Sequence, residues 1–233
     1  MSAALPPSVR RPLTMVAVPA AAVVVALGVL HSGDAGPSAF DQWVWPSTPI
    51  VQAPLLQLAL MIDFAGEPPG AAVLLATLVA VCVATRRWRS AALAVAGPGL
   101  TVVVTTLAKS MVGRKIHEVH LSYPSGHTAL LTALALVLAL LVADVVGLGP
   151  LGGMLLVMLA AGLAGVVMAW SQTVLVAHYA TDTIGGFCTA LAVVPAAAWV
   201  IDRIADDLDR RRAGNGRVDA VARVAEQARS AAA

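Results

Sequence analysis

Residues 124–146 read Pro-Ser-Gly-His-Thr-Ala-Leu-Leu-Thr-Ala-Leu-Ala-Leu-Val-Leu-Ala-Leu-Leu-Val-Ala-Asp-Val-Val. A polar opening is followed by an apolar run that meets no charged side chain until Asp144. About 20 such residues in a helix cross a hydrocarbon core of ~30 Å. Similar runs occur at 13–31, 70–86, 90–110, 151–171 and 181–202. The stretch 50–64 is shorter and is broken by Gln52, Gln57 and Asp63, so it reads as an interfacial helix. A backbone in lipid must satisfy its own hydrogen bonds, which selects helices. The expected fold is therefore all-α, a bundle of six transmembrane helices with an interfacial helix between the first two spans. Residues 1–202 form one membrane domain in this reading, and 203–233 a solvated polar tail.

Composition agrees. The chain has 233 residues, 59% hydrophobic and 12% charged. A soluble domain carries roughly 25% charged residues. These values exclude a disordered chain, a nucleic-acid-binding protein and an ordinary soluble enzyme. Cys82 and Cys188 lie within apolar runs and read as packing residues.

Cations occur in four groups: Arg10–Arg11, Arg86–Arg89, Lys109–Lys115, and seven arginines between Arg203 and Arg229. Arg10–Arg11 precede an apolar run too long for a signal peptide, which reads as a retained first span. Residues 32–69 hold no Lys or Arg, four acids (Asp34, Asp41, Asp63, Glu67), and Trp43 and Trp45 as belt residues. Placing Arg10–Arg11 inside puts Arg86–Arg89 and the arginine-rich tail inside too, as the positive-inside rule requires. Both termini are then cytoplasmic. Loops 111–126 and 172–180 share the outer face, which Trp170 and Tyr179 border as aromatic-belt anchors. Lys109, Arg114 and Lys115 break the rule there, and a local rule broken at one place marks function.

The outer segment 109–127 gathers those three cations with His117, His120, His127 and Glu118. Pro124-Ser125-Gly126-His127 opens a helix, whose free N–H groups beside cations make an anion site. Across from it lie His178 and, four residues on, Asp182. That spacing lets the carboxylate hold one imidazole nitrogen while the other stays free for attack. The chemistry suggested is phosphoryl transfer through a phosphohistidine. His117, Glu118 and His120 lack a recognised metal spacing and read as a solvated loop or a headgroup contact.

On these residues the chain resembles the type 2 phosphatidic acid phosphatase (PAP2) family, whose fold is shared with the vanadium haloperoxidases. Pro124–His127 match the family's Pro-Ser-Gly-His motif, and Ser171, His178 and Asp182 match Ser-Arg-x5-His-x3-Asp at its spacing. Lys109 matches the start of Lys-x6-Arg-Pro, but the Arg-Pro falls on Ile116-His117, with Arg114 two residues early. The third motif's arginine is Gln172.

The resemblance implies a membrane lipid phosphate phosphatase acting on a polyprenyl pyrophosphate, phosphatidate or phosphatidylglycerophosphate. His178 would be the nucleophile, Asp182 its orienter, and His127 the acid and base. Lys109, Arg114, Ser125, Gly126, Ser171 and Gln172 would hold phosphoryl oxygens, with Lys115, His117 and His120 near the headgroup. No metal or other cofactor is implied, and the expected partners are the lipid substrate and membrane lipids. The absence of arginine at 116 and 172 favours, as an alternative, a protein of the same fold that binds or transfers lipid phosphates with weak hydrolysis. A transporter would need intramembrane polar groups or paired broken helices in repeat halves, and the spans show few such groups and no evident repeat.

Overall fold

A computed structural model describes residues 3–44 and 52–231, with side chains beyond 214 described only at Gln227. Trp45 lies outside these residues. The order is α1 (Pro7–Leu30), α2 (Ala39–Val44), α3 (Leu55–Phe64), α4 (Pro68–Ala84), α5 (Trp88–Val112), β1 (Lys115–Ile116), β2 (His120–Leu121), α6 (Gly126–Val146), α7 (Pro150–Val174) and α8 (Ala180–Ala231). Punctuation in the sequence explains many of these bounds. Proline stands in the first turn of α1, α4 and α7, where its missing N–H costs no helical bond. Gly113 and Gly147 end α5 and α6 in the left-handed conformation that favours glycine.

Helix α6 lies at the centre, against α4, α5, α7 and α8, while α8 also packs on α1. The core between them is built from Leu93, Ala94, Leu136, Val137, Leu140, Val194 and Ala198. Large apolar side chains such as Met15, Val29, Leu159 and Leu163 point outward. An apolar exterior over an apolar core is what a helix bundle in lipid requires.

Among the described residues, five helices are long and apolar enough to span a membrane. The expected span at 70–86 is α4, which by itself has 17 residues and is about 26 Å long against a ~30 Å core. It forms a pair with α3, bent by 61°, and six spans are reached when that pair counts as one. The polar tail expected at 203–233 is helical through residue 231, because α8 continues without interruption past residue 202. Its polar stretch is anchored: Arg89 of α5 donates to Asp206 at 2.7 Å and to Asp209 at 3.1 Å.

That end of the bundle gathers most of the described charges away from the histidines. Asp202 accepts from the Ala4 and Leu5 amides at 2.8 and 3.0 Å and lies 3.5 Å from Arg10. Arg87 pairs with Asp144. The opposite end holds the candidate site. There the expected outer loop is a small antiparallel hairpin, pairing Lys115 with Leu121 and Ile116 with His120.

Candidate active site

Asp182, in the first turn of α8, organises one half of the site. Its Oδ1 accepts from Arg114 Nη1 at 2.7 Å and its Oδ2 from the Tyr179 amide at 3.0 Å. His178 Nδ1 lies 3.6 Å from Oδ2, an ion-pair separation longer than a hydrogen bond. The Asp182 carbonyl accepts from the Ser125 amide at 2.9 Å, which joins the α8 entry to the α6 entry. Gly186 makes this junction possible: a Cβ there would lie 2.3 Å from the Ser125 carbonyl oxygen.

Arg114 is fully buried between two carboxylates. Nη2 donates to Asp41 at 2.7 Å, and Nη1 donates to Thr181 Oγ1 at 2.6 Å as well as to Asp182. Thr181 donates its amide and hydroxyl to Asp41. The guanidinium also sits 4.4 Å over the Tyr179 ring. Two expectations change. Arg114 lies behind the site as a brace for Asp182, because a buried cation needs paired carboxylates. Tyr179, 3% exposed, is packed beneath that brace rather than in an aromatic belt. Burial raises the Asp41 carboxyl, but hydrogen bonds from Thr181, Ser38 and Arg114 together outweigh it and hold it below its ordinary value.

His178 is buried. Desolvation pushes its imidazole below the ordinary histidine value; the Asp182 carboxylate opposes this, and the Lys109 charge adds to it. A neutral ring with Nε2 unclaimed by Asp182 is the form a nucleophile needs.

His127 occupies the first turn of α6. The Ser125 hydroxyl caps this helix, accepting from the Thr128 amide at 3.4 Å and the Thr128 hydroxyl at 3.1 Å. Its Nε2 lies 3.7 Å from Asp63 and 3.4 Å from Glu67. Gly66, between those acids, lies against the imidazole: a Cβ there would come within 2.3 Å of His127 Cδ2. Gln172 donates from Nε2 to Asp63 Oδ1 at 2.6 Å. Ser171 donates to the Ala59 carbonyl at 2.7 Å. The hydroxyls of Ser125 and Ser171, expected on a phosphate, are thus used to cap α6 and to seat α3 on α7. Buried polar groups take such partners because an unpaired one is costly.

The remaining expected residues lie around the rim. Lys109 donates to the Leu121 carbonyl at 3.1 Å. His117 bridges the hairpin to the α7–α8 turn by donating to the Val176 carbonyl at 2.9 Å. Lys115 and His120 are exposed. Ile116, at the motif arginine position, is buried at 3% exposure. The structure adds Asp41, Asp63, Glu67 and Thr181 to the site. The run of acids without Lys or Arg over 32–69 was the only signal for the three carboxylates, and nothing in the sequence marked Thr181.

The PAP2 superfamily model matches residues 70–205. A transmembrane PAP2-type phosphatidylglycerolphosphate phosphatase from Bacillus subtilis, known from its crystal structure, is similar in fold at a TM-score of 0.63. The two are 18% identical, over 82% of this chain and 96% of the other. No curated protein matches. The family match spans more than half of the chain and contains His127, His178 and Asp182, and this multi-pass membrane protein belongs to the PAP2 superfamily.

Proposed function

We propose that the protein hydrolyses a lipid phosphate through a phosphohistidine at His178. The observation that carries this is the Arg114–Asp182–His178 series, with His127 at the start of α6 near enough for its charge to act on His178. His178 Nε2 attacks phosphorus, and the bond from phosphorus to the lipid oxygen breaks. His127 gives that oxygen its proton. His127 then takes a proton from water, the water oxygen attacks phosphorus, and the phosphorus–nitrogen bond breaks to release phosphate. Lys109 and the first amides of α6 hold the phosphoryl oxygens, where positioning and electrostatics do most of the work. Arg114 acts through Asp182 and does not touch the substrate. The site opens at the outer face, at headgroup depth, with both termini cytoplasmic. Polyprenyl pyrophosphate, phosphatidate and phosphatidylglycerophosphate are the substrate candidates.

The test is phosphate release from a panel of these lipids in detergent micelles. Wild type should turn over at least one, and His178→Ala should lose about a thousand-fold or more. Equal release by the two proteins overturns the assignment. A second reading, lipid-phosphate binding or transfer with slow hydrolysis, is favoured by the buried Ile116 and the neutral Gln172. Tight lipid binding without turnover would select it.

A further inference from the structure

Beside the histidines the balance of charge is unusual for an anion site. Among the described residues Arg114 is shared by Asp41 and Asp182, leaving Lys109 against Asp63 and Glu67. Gln172 stands where a cation is expected and touches Asp63 instead. Three atoms, one each from Asp63, Glu67 and His127, lie within 4.8 Å of one another. His127 Nε2 stands 3.4 and 3.7 Å from the two acids. An ion with tetrahedral bonds of ~2.0–2.1 Å sets its ligands about 3.3 Å apart, so small side-chain shifts close the set.

Two further observations bear on this cluster. His127 Nε2 is buried and makes no hydrogen bond. Gln172 is fully buried, and its Oε1 has no partner although its Nε2 is 2.6 Å from Asp63. The two ends of the amide are interchangeable in shape, and turning it over would present Oε1 beside Asp63, an arrangement that a cation, or a proton on the carboxyl, between the two oxygens stabilises. Gly66 lies flat on the His127 ring, so the α3–α4 break holds both acids over the imidazole.

We propose that Asp63, Glu67 and His127, with Gln172 Oε1 as a fourth donor, form a site for a divalent cation of the zinc type that switches hydrolysis off. One nitrogen and two or three oxygens suit Zn²⁺ or Co²⁺. The inhibitory sign follows from the imidazole. A ring with a metal on one nitrogen cannot become imidazolium, so His127 can no longer deliver a proton to the leaving oxygen. This sign rests on the acid role proposed above; the site itself does not.

The experiment titrates tag-free, EDTA-treated protein in detergent with Zn²⁺ by calorimetry and with Co²⁺ by visible absorption. Phosphate release is followed over the same Zn²⁺ range. The expected result is one ion per chain, with release falling as the ion binds. Glu67→Gln should weaken binding at least about tenfold, and Glu118→Gln, an exposed acid in the hairpin, should leave it unchanged. Absence of stoichiometric binding, or equal binding by Glu67→Gln and wild type, overturns the site. Binding with undiminished or increased release supports the site and overturns the switch. Absence of turnover in metal-free wild type would overturn the hydrolase reading instead, and the calorimetric and Co²⁺ results would still decide the site.

Discussion

Arg114 and Asp182 form a 2.7 Å ion pair in which neither side chain is exposed to solvent. They are 68 residues apart, and Asp41 closes the same guanidinium from a third element. Removing one member of such a buried set leaves a charge without compensation, at about 3–5 kcal/mol. Arg114→Met should therefore lower the thermal midpoint in detergent substantially. Arg114→Lys should be milder in stability, since the charge remains. It cannot fork to both carboxylates, so Asp182 is held less well. The expected signature is a fall in kcat with little change in KM. A change confined to KM would show that Arg114 contacts substrate directly.

Asp182→Asn keeps the shape and removes the charge. The Tyr179 and Arg114 contacts would then compete for one amide oxygen, and the His178 ring would lose its orienting anion. A loss of roughly 10³–10⁴ in kcat is expected by analogy with carboxylate-to-amide changes behind a catalytic histidine. Single-turnover phosphate release measures it, and a loss below tenfold contradicts the orienting role.

Burial holds His178 below its ordinary value, aided by Lys109 and opposed by Asp182. If His178 is the nucleophile as proposed, its neutral form persists on the acid side, and the acid limb of kcat/KM should fall below pH ~6.5. Lys109→Met removes a repelling charge, so the midpoint of that limb should move upward, whatever happens to the rate. The sign for stability is the same. As pH drops below ~6.5 the unfolded chain takes up a proton that the folded His178 refuses, so stability falls. A limb at or above pH 6.5 would contradict the burial argument.

Gly66→Ala tests the contact between the α3–α4 break and His127. The added Cβ would lie 2.3 Å from Cδ2, so the ring must shift. Displacement of a catalytic group by about 1 Å costs on the order of 10² in rate. The melting temperature should change little beside the loss of turnover. Wild-type turnover would show that the ring is free to move.

Gln172→Arg places a cation beside Asp63 and His127. A charge-assisted contact to a phosphoryl group is worth about 1.5–3 kcal/mol, or roughly ten- to a hundred-fold in kcat/KM. Activity should rise, and Zn²⁺ binding should weaken because the new charge repels the ion. Lower activity would show that Asp63 needs the amide as it stands.

The bundle was legible because lipid imposes a length and an apolar composition on each span, and these are local properties. The runs at 90–110, 127–146 and 151–171 became α5, α6 and α7 almost residue for residue. The 50–64 and 70–86 segments were harder, since a bend between two short apolar helices leaves no periodic mark. The helical form of 203–231 was not legible, because its arginines and aspartates carry no apolar periodicity and only the fold brings Arg89 of α5 beside Asp206 and Asp209.

By itself the sequence determined the membrane architecture and the pairing of His178 with Asp182, because apolar length and i,i+4 spacing are written along the chain. The starts of α1, α4 and α7 were likewise set by prolines, and the ends of α5 and α6 by Gly113 and Gly147. Only the tertiary structure decided which charges are spent in holding the site and which remain for chemistry. Arg114 turned inward to Asp41 and Asp182, while Asp63 and Glu67 came over His127. The reason is physical: a buried charge takes the nearest opposite charge in space, and sequence separation does not limit that choice.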